Sequence, residues 1–349
     1  MNARTGVRPA AVEVAVVIVN YRTPELVAKC LDSLRGERKG LDKLKVIVVD
    51  GGSGDASADA IEKEIAKPQF RKWVSLLPLP INGGFGWANN QAILSLARNS
   101  PAPEFIHVLN PDTEVLEGAV AALVAELQKH KRCGAVGSRL LASDGSPSAS
   151  AFRFPSAGRE LLSAAQTELP GRLLGIAPIV IEAERSVEVD WVTGASVMFR
   201  SEALREVGLF DDGFFLYFEE VELMHRLRSK GWAVRHVPTS RVFHAEGAAT
   251  GVSGNGPAKS LPAYWYRSRR RYFALTGGPS ALMITNLAWL AGRVARLGKK
   301  ILRRPVRQDG TRSFDVVRQG FWPREEDRLP SVPAWGDPPG RPPAWMART

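Results

Sequence analysis

An α/β fold built on a mostly parallel sheet flanked by helices is what this 349-residue sequence predicts. Apolar, β-branched runs alternate with segments of helical apolar spacing, the mark of buried strands covered by helices. Polar and glycine-rich clusters follow the strand-like runs, where open α/β sheets bind ligands. No GxGxxG follows the first strand, and no GxxxxGK ending in Ser or Thr occurs, which argues against a dinucleotide site and a P-loop.

The first strand is expected at Val14 to Val19. Thr23-Pro24-Glu25 then supplies an N-cap and a first-turn proline, so a helix follows, with Leu26, Val27, Cys30, Leu31 and Leu34 at helical spacing. Lys45 to Val49 repeats the buried-strand pattern and runs into Asp50-Gly51-Gly52-Ser53-Gly54-Asp55, completing a βαβ unit. Further strands are expected at Ser75 to Leu79, Phe105 to Leu109, Gly134 to Gly137 and Ser196 to Arg200. Helical patterns cover Ala88 to Ala97, Glu117 to His130 and Ser201 to Val207. From about Gly277, the apolar Leu282, Ile284, Leu287, Trp289 and Leu290 precede Arg293, Arg296, Lys299, Lys300, Arg303 and Arg304, which predicts a basic amphipathic helix. From Pro323 onward Pro, Gly, Arg and Trp dominate, and little regular structure is expected. The division predicted is a disordered leader (1–11), one large domain (12–275) and a basic extension with its tail (276–349).

With 44% hydrophobic and 24% charged residues the composition is that of a globular chain. No stretch reaches the ~18–20 apolar residues of a spanning helix. Cys30 and Cys133 are too few for a disulfide framework or a CxxC zinc site, which favours a reducing compartment. The net charge of +11 favours anionic partners: nucleic acid, a lipid surface or phosphorylated ligands. Arg267, Arg269, Arg270 and Arg271, interleaved with Tyr264, Trp265, Tyr266, Tyr272 and Phe273, together with the Leu/Trp face and Lys/Arg cluster that follow, locate that charge and predict attachment to anionic lipid. The competing expectation is a helix packed on the main domain with a solvated basic face. No RRM, KH, zinc-finger or basic-zipper pattern supports nucleic acid.

Candidate chemistry lies at the strand ends and at one helix start. Asp50, before two glycines, can accept hydrogen bonds from a nucleoside or form an Asx-type turn. Asn82 to Asn90 offers backbone amides and two Asn side chains near a helix start, suited to a sugar or phosphate. Glu219, Glu220 and Glu222 crowd another helix start, where the macrodipole favours carboxylates and a base could take a hydroxyl proton.

Seven segments together resemble the inverting glycosyltransferases of family 2, which have the GT-A fold: VVIVNYRTPE, VIVVDGGSGDAS, INGGFGWANN, LNPDT, VDWVTGASVMFR, FDDGFFLYFEEVELMHRLRSKGW and VFHAEG. They run in the family's order from Val14 to Gly247 and are most similar to its rhamnosyltransferase-like bacterial branch. The resemblance implies a GT-A domain with a C-terminal helical extension. Its donor site is carried by Asn20, Tyr21, Arg22, Glu25, Asp50, Gly51, Ser53, Asn82, Gly84, Phe85, Asn89, Asn110 and Asp112. Asp112 stands at the last position of the family's DxD motif, whose first Asp is Asn110 here; with His244 it implies a site for Mn2+ or Mg2+. A Pro-Asp helix cap is the alternative for Asp112. Glu220 maps onto the catalytic base, with Glu219 beside it; the family's Asp is Glu here. Asp190, Trp191 and Gly194 map onto the acceptor side, although a core Trp serves equally for Trp191.

The implied reaction moves a sugar, L-rhamnose from dTDP-L-rhamnose by branch resemblance, to a glycan or polyprenyl-diphosphate-linked acceptor in cell-surface polysaccharide synthesis. UDP-hexose and UDP-galactofuranose are the alternative donors. A sugar-nucleotide nucleotidyltransferase and a nucleic-acid-binding protein are the rivals from other classes. The expected location is cytoplasmic, peripheral at the inner membrane, with a homo-oligomer among the expected assemblies.

Overall fold

The computed structural model describes residues 13–98, 101–167, 171, 173, 175–245, 261–302, 305–306 and 313–346. The expected leader, residues 1–11, lies outside them, as do Arg303 and Arg304.

Strand β1 (Val14–Asn20) is apolar up to its last residue, and both its faces are covered. Val14, Val16 and Ile18 enter one core; Ala15 and Val17 enter the other, as the two-residue period of a strand requires. Strands β2 (Leu44–Asp50), β3 (Val74–Pro78) and β4 (Phe105–Leu109) extend a parallel sheet from it. The rest comprises β5 (Thr113–Val115), β6 (Cys133–Leu141), β7 (Pro147–Ser148), β8 (Ala151–Phe152), β9 (Val187–Val189), β10 (Trp191–Val192), β11 (Ser196–Arg200) and β12 (Ala233–His244). The main sheet runs β3-β2-β1-β4-β11-β6-β12-β5. β11 lies antiparallel between β4 and β6, which makes the sheet mixed, and β5 is antiparallel to β12.

Helices α1 (Pro24–Leu34), α2 (Ser57–Ile65) and α4 (Ala119–Lys129) cover one face through Val27, Leu31, Ile61, Leu123 and Leu127. On the other lie α3 (Phe85–Ala97), α6 (Ser201–Val207) and α7 (Glu219–Ser229), which contribute Trp87, Ile93, Leu204, Leu223 and Leu227. Helix α5 (Ala157–Ala165) packs instead on the long α8 (Ala263–Ile301). The observed strands β4 and β11 and helix α6 coincide with their expected ranges. β12 was not expected: Arg235, His236 and Pro238 interrupt its apolar pattern, and a register shift between Val237 and Arg241 accommodates the proline. Thr23 stands at the N-cap position of α1 without capping; its hydroxyl donates to Asn20 Oδ1 at 3.1 Å.

Helix α8 breaks at Gly278, whose φ of 74° precedes Pro279. Its first arm corrects the expected location of the basic charge. Arg269, Arg270 and Arg271 are buried, pairing respectively with Glu160 at 3.0 Å, with Asp327, and with Asp211 at 2.7 Å. The interleaved Tyr266, Tyr272 and Phe273 are buried too. They anchor the arm to the domain, and a buried guanidinium must be paired. Arg269, Arg270 and Arg271 are internal structure, not a surface for lipid or nucleic acid, whereas Arg267 is exposed.

The second arm buries Leu282, Trp289 and Gly292, the last against Leu161 and Ala164 of α5. Its opposite side exposes Ile284, Leu287, Val294, Leu297 and Ile301. No helix among the described residues is long and apolar enough to cross a membrane. Residues 321–346 are mostly irregular, as expected, with one short 3-10 turn at Glu325–Asp327.

Candidate active site

The sheet brings the polar clusters to one edge. Asn20 ends β1 and lies in register with Asp50 at the end of β2; Asn110 follows β4; Gly194 and Ala195 precede antiparallel β11; His244 ends β12. At the first corner Asp50 Oδ1 accepts from Asn20 Nδ2 at 2.8 Å and Ser53 Oγ at 2.6 Å, while Oδ2 accepts the Ser53 amide at 3.1 Å. Arg22, at a left-handed φ of 60°, donates its amide to Ser53 Oγ and its Nε to Ser53 O. Asp50 thus organises the turn, and its Oδ2, with one bond, keeps acceptor capacity toward a nucleoside. Tyr21 is exposed beneath the Arg22 guanidinium, and Glu25 is exposed in the first turn of α1.

The LNPDT turn is pinned from two sides. The Asn110 amide donates to Ala195 O, and the Ala245 amide to Asp112 O. Pairing of His244 with Thr113 then sets His244 Nε2 3.3 Å from Asp112 Oδ1. Asp112 Oδ1 and His244 Nδ1 are buried with no hydrogen-bond partner, and leaving such atoms unsatisfied is costly. Two ligands of one divalent cation, each about 2.0–2.2 Å from it, stand at such a separation, so the pair fits a small cation. Among the described residues no cluster of three His, Cys, Asp or Glu forms; the protein would supply two ligands and bound phosphate or water the rest.

The Asn82 to Asn90 loop opens α3. Asn82 Oδ1 accepts the Gly84 amide at 3.1 Å. Gly84 has a φ of 94°, and a Cβ there would stand 2.1 Å from Phe215 O, so only glycine lets the two segments meet; the Phe85 amide donates to that same carbonyl at 3.0 Å. Asn89 donates to Phe85 O and leaves a buried, unpartnered Oδ1. Asn90 is spent structurally, bonding Phe210 and Asp212.

Glu219 and Glu220 open α7 after two consecutive left-handed aromatic residues, Tyr217 and Phe218, each at φ 70°. Such backbone costs about 1–3 kcal/mol per residue. Packing holds it: Tyr217 stacks on Tyr264, and Phe218 packs against Trp265 and Tyr272, all on α8. Glu219 is buried, its side chain beside Gly86; Glu220 is partly exposed, its side chain beside Gly194. Both have a buried Oε2 without a partner. Burial, reinforced by the adjacent Glu220 charge, pushes Glu219 well above the usual carboxylate range. Burial raises Glu220 to about 7, against opposing backbone hydrogen bonds at the helix start. A carboxyl raised to about 7 beside a second raised carboxyl suits proton transfer near neutral pH.

The acceptor-side residues are not all brought together. Gly194 lies against Phe85 and Glu220. Asp190 Oδ2 accepts the Phe154 amide at 2.8 Å, and Asp190 lines a separate cavity of about 330 Å³ with Arg153, Arg159 and Arg228. Trp191 stacks on Phe152 at 4.2 Å and donates Nε1 to Arg153 O, a packing role. Asp211 escaped notice in the sequence. It is fully buried and takes both oxygens to Arg271 Nη2 at 2.7 and 2.9 Å, which ties the FDDG turn to α8. The arginine run was visible in the sequence, but not its partner Asp211.

The profile of glycosyl transferase family 2 matches residues 15–184, and that of glycosyl transferase family group 2 matches residues 173–298. The chain is 29% identical over 283 residues to an N-acetylglucosaminyl-diphospho-decaprenol L-rhamnosyltransferase of Mycobacterium tuberculosis, covering 78% of this chain and 88% of that one. It is 24% identical over 226 residues to a low-salt glycan biosynthesis hexosyltransferase of Haloferax volcanii, 62% of each. In fold it is similar to a mannosyltransferase from Pyrobaculum calidifontis solved with GDP-Man and Mn2+, with TM-score 0.51, 15% identity, and 83% and 75% of the two chains covered. It is also similar to GalNAc-T7 solved with UDP, GalNAc and Mn2+, with TM-score 0.52, 17% identity, and 86% and 60% covered. With the turns after β1, β2 and β4 and the end of β12 on one edge of a GT-A sheet and the two profiles together spanning most of its length, the chain belongs to glycosyltransferase family 2 and is rhamnosyltransferase-like.

Proposed function

We propose that this hexosyltransferase is inverting and moves L-rhamnose from dTDP-L-rhamnose to a hydroxyl of a polyprenyl-diphosphate-linked glycan during cell-surface polysaccharide synthesis. The observation that carries the chemistry is the set of buried, unpartnered atoms at the sheet edge: Asp112 Oδ1, Asn89 Oδ1, and Oε2 of Glu219 and Glu220. The sugar and acceptor follow from the name of the mycobacterial relative; a UDP-hexose or UDP-galactofuranose is the alternative donor.

Glu220 takes the acceptor hydroxyl proton as that oxygen bonds the anomeric carbon; the bond from that carbon to the diphosphate breaks, and the nucleoside diphosphate leaves with the electron pair. Glu219, neutral beside it, avoids a second buried charge. Asp50, Asn20 and Ser53 shape the nucleoside corner, and the Gly84 to Asn89 segment faces the sugar. Asp112 and His244 would hold Mn2+ or Mg2+, which when bound offsets the charge of the departing diphosphate.

The location proposed is peripheral at an anionic membrane, cytoplasmic side. Its support is the exposed Ile284, Leu287, Val294, Leu297 and Ile301 on the second arm of α8, an arm that also carries Arg293, Arg296, Lys299 and Lys300, Lys299 donating to Gln166 O, since interfacial helices combine an apolar face with basic residues. Binding to anionic vesicles at low salt, lost on Leu287→Glu with Val294→Glu, is expected; unchanged partition to the supernatant, or a dimer dissociated by the same changes, overturns it.

The reaction is tested by screening dTDP-L-rhamnose, UDP-hexoses and UDP-galactofuranose for divalent-cation-dependent transfer to a GlcNAc-diphosphate-lipid. Glu220→Gln and Asp112→Ala should abolish turnover. Full activity in both would remove the assigned roles.

A further inference from the structure

The segment after Arg324 runs back across the domain toward the donor loop. Arg271 donates to Glu326 O and Leu329 O. The Ser331 amide donates to Asp211 Oδ2, the Asp212 amide to Ser331 O, and the Leu209 amide to Pro333 O. Arg205 covers the Trp335 ring at 4.7 Å. Beyond it the Gly340 amide donates to Gln91 Oε1 at 2.6 Å, and Trp87 Nε1 to Arg341 O at 2.7 Å. Trp345 ends this path: its Nε1 donates to Gly83 O at 3.0 Å, and its ring meets the Phe215 ring edge-on at 5.2 Å.

Those two contacts fall on the two segments that meet at Gly84. Gly83 O and the Gly84 N–H belong to one peptide plane. Asn82 Oδ1 holds the N–H of that plane and Trp345 Nε1 holds its carbonyl. A peptide between two glycines has neighbours on both sides free to rotate, so these bonds set its orientation. Phe215, whose carbonyl accepts the Phe85 amide, is five residues before Glu220 and is held by the same indole.

We propose that Trp345 is a positioning residue of the transfer reaction: it locks the Gly83–Gly84 peptide of the donor loop and seats Phe215 beside it. This rests on the reading of that loop as the sugar-nucleotide site. Steady-state kinetics with dTDP-L-rhamnose and a GlcNAc-diphosphate-lipid, on the full chain, separate the parts. Trp345→Phe keeps a ring against Phe215 and removes only the N–H donor. The donor KM should rise about three- to tenfold, with kcat, acceptor KM and Tm unchanged. Trp345→Ala should raise donor KM at least as far and lower kcat as well. Unchanged donor KM in both variants overturns the proposal, and so does an equal fall in all parameters that tracks a lower Tm. Glu220→Gln in the same assay reports on the reaction itself. Activity insensitive to Glu220 would undo the functional reading, whereas an inactive Glu220→Gln beside a normal Trp345→Phe would undo the proposal alone.

Discussion

At the β1–β2 corner Asn20, Asp50 and Ser53 hold one another across neighbouring strand ends, whereas the turn that carries Glu220 takes its shape from Tyr264, Trp265 and Tyr272 on α8 and from Arg271 beneath it. The first is a set of short polar bonds within the sheet's own turns. The second is strained backbone propped by aromatic rings from a distant part of the chain. A corner of the first kind survives loss of remote packing; one of the second kind does not.

The comparison can be broken most sharply at Glu220. Glu220→Gln should lower kcat by about 10²–10⁴ with nucleotide binding retained, as equilibrium titration with dTDP would show. The wild-type rate should climb with pH through about 7, since burial makes the base available only as Glu220 loses its proton near that value; a flat profile from pH 5 to 8 would reject the assignment. Next in size is Arg271→Ala, which leaves Asp211 charged and buried and should cost about 3–5 kcal/mol by denaturant unfolding. The exposed Arg35–Asp32 pair, cut by Arg35→Ala, should cost under about 1 kcal/mol. Gly84→Ala joins the two halves: a Cβ 2.1 Å from Phe215 O must push the segments apart. It should destabilise by about 1–3 kcal/mol and raise the KM for donor and acceptor together.

A pH-dependent effect concerns Asp212, which burial raises to about 7. A raised carboxylate favours the folded state below its unfolded value of 3.8, and that contribution is lost as pH rises through about 7. Asp212→Asn should therefore raise Tm at pH 8 by at least about 2 °C and leave it unchanged near pH 4; an equal shift at both pH values would contradict the cause given.

The strand-end turns that carry the proposed donor residues were legible in the sequence because their determinants are local. β1, β2 and β4 are mostly apolar, β-branched runs, and NYRTPE, DGGSGD and NPDT stand at their ends. The fold came through the same way, as did the position of Glu219 and Glu220 at a helix start. Three things did not. β12 hides its strand pattern behind Arg235, His236 and Pro238. The arginine run looked like surface charge because its partners Glu160, Asp211 and Asp327 are far away in sequence. Trp345 sat in a stretch whose composition signals irregular backbone, and irregular backbone can still be docked residue by residue.

The left-handed pair Tyr217–Phe218 has a consequence for how the protein is made. Synthesis runs from the N-terminus, and early segments fold first. The residues that prop this turn, Tyr264, Trp265 and Tyr272, emerge after it, and the strap through Trp345 later still. On the reading proposed above, the polar bonds of the Asn20–Asp50–Ser53 corner can form from chain already synthesised, whereas the turn before Glu220 is propped only after Tyr264, Trp265 and Tyr272 have been added.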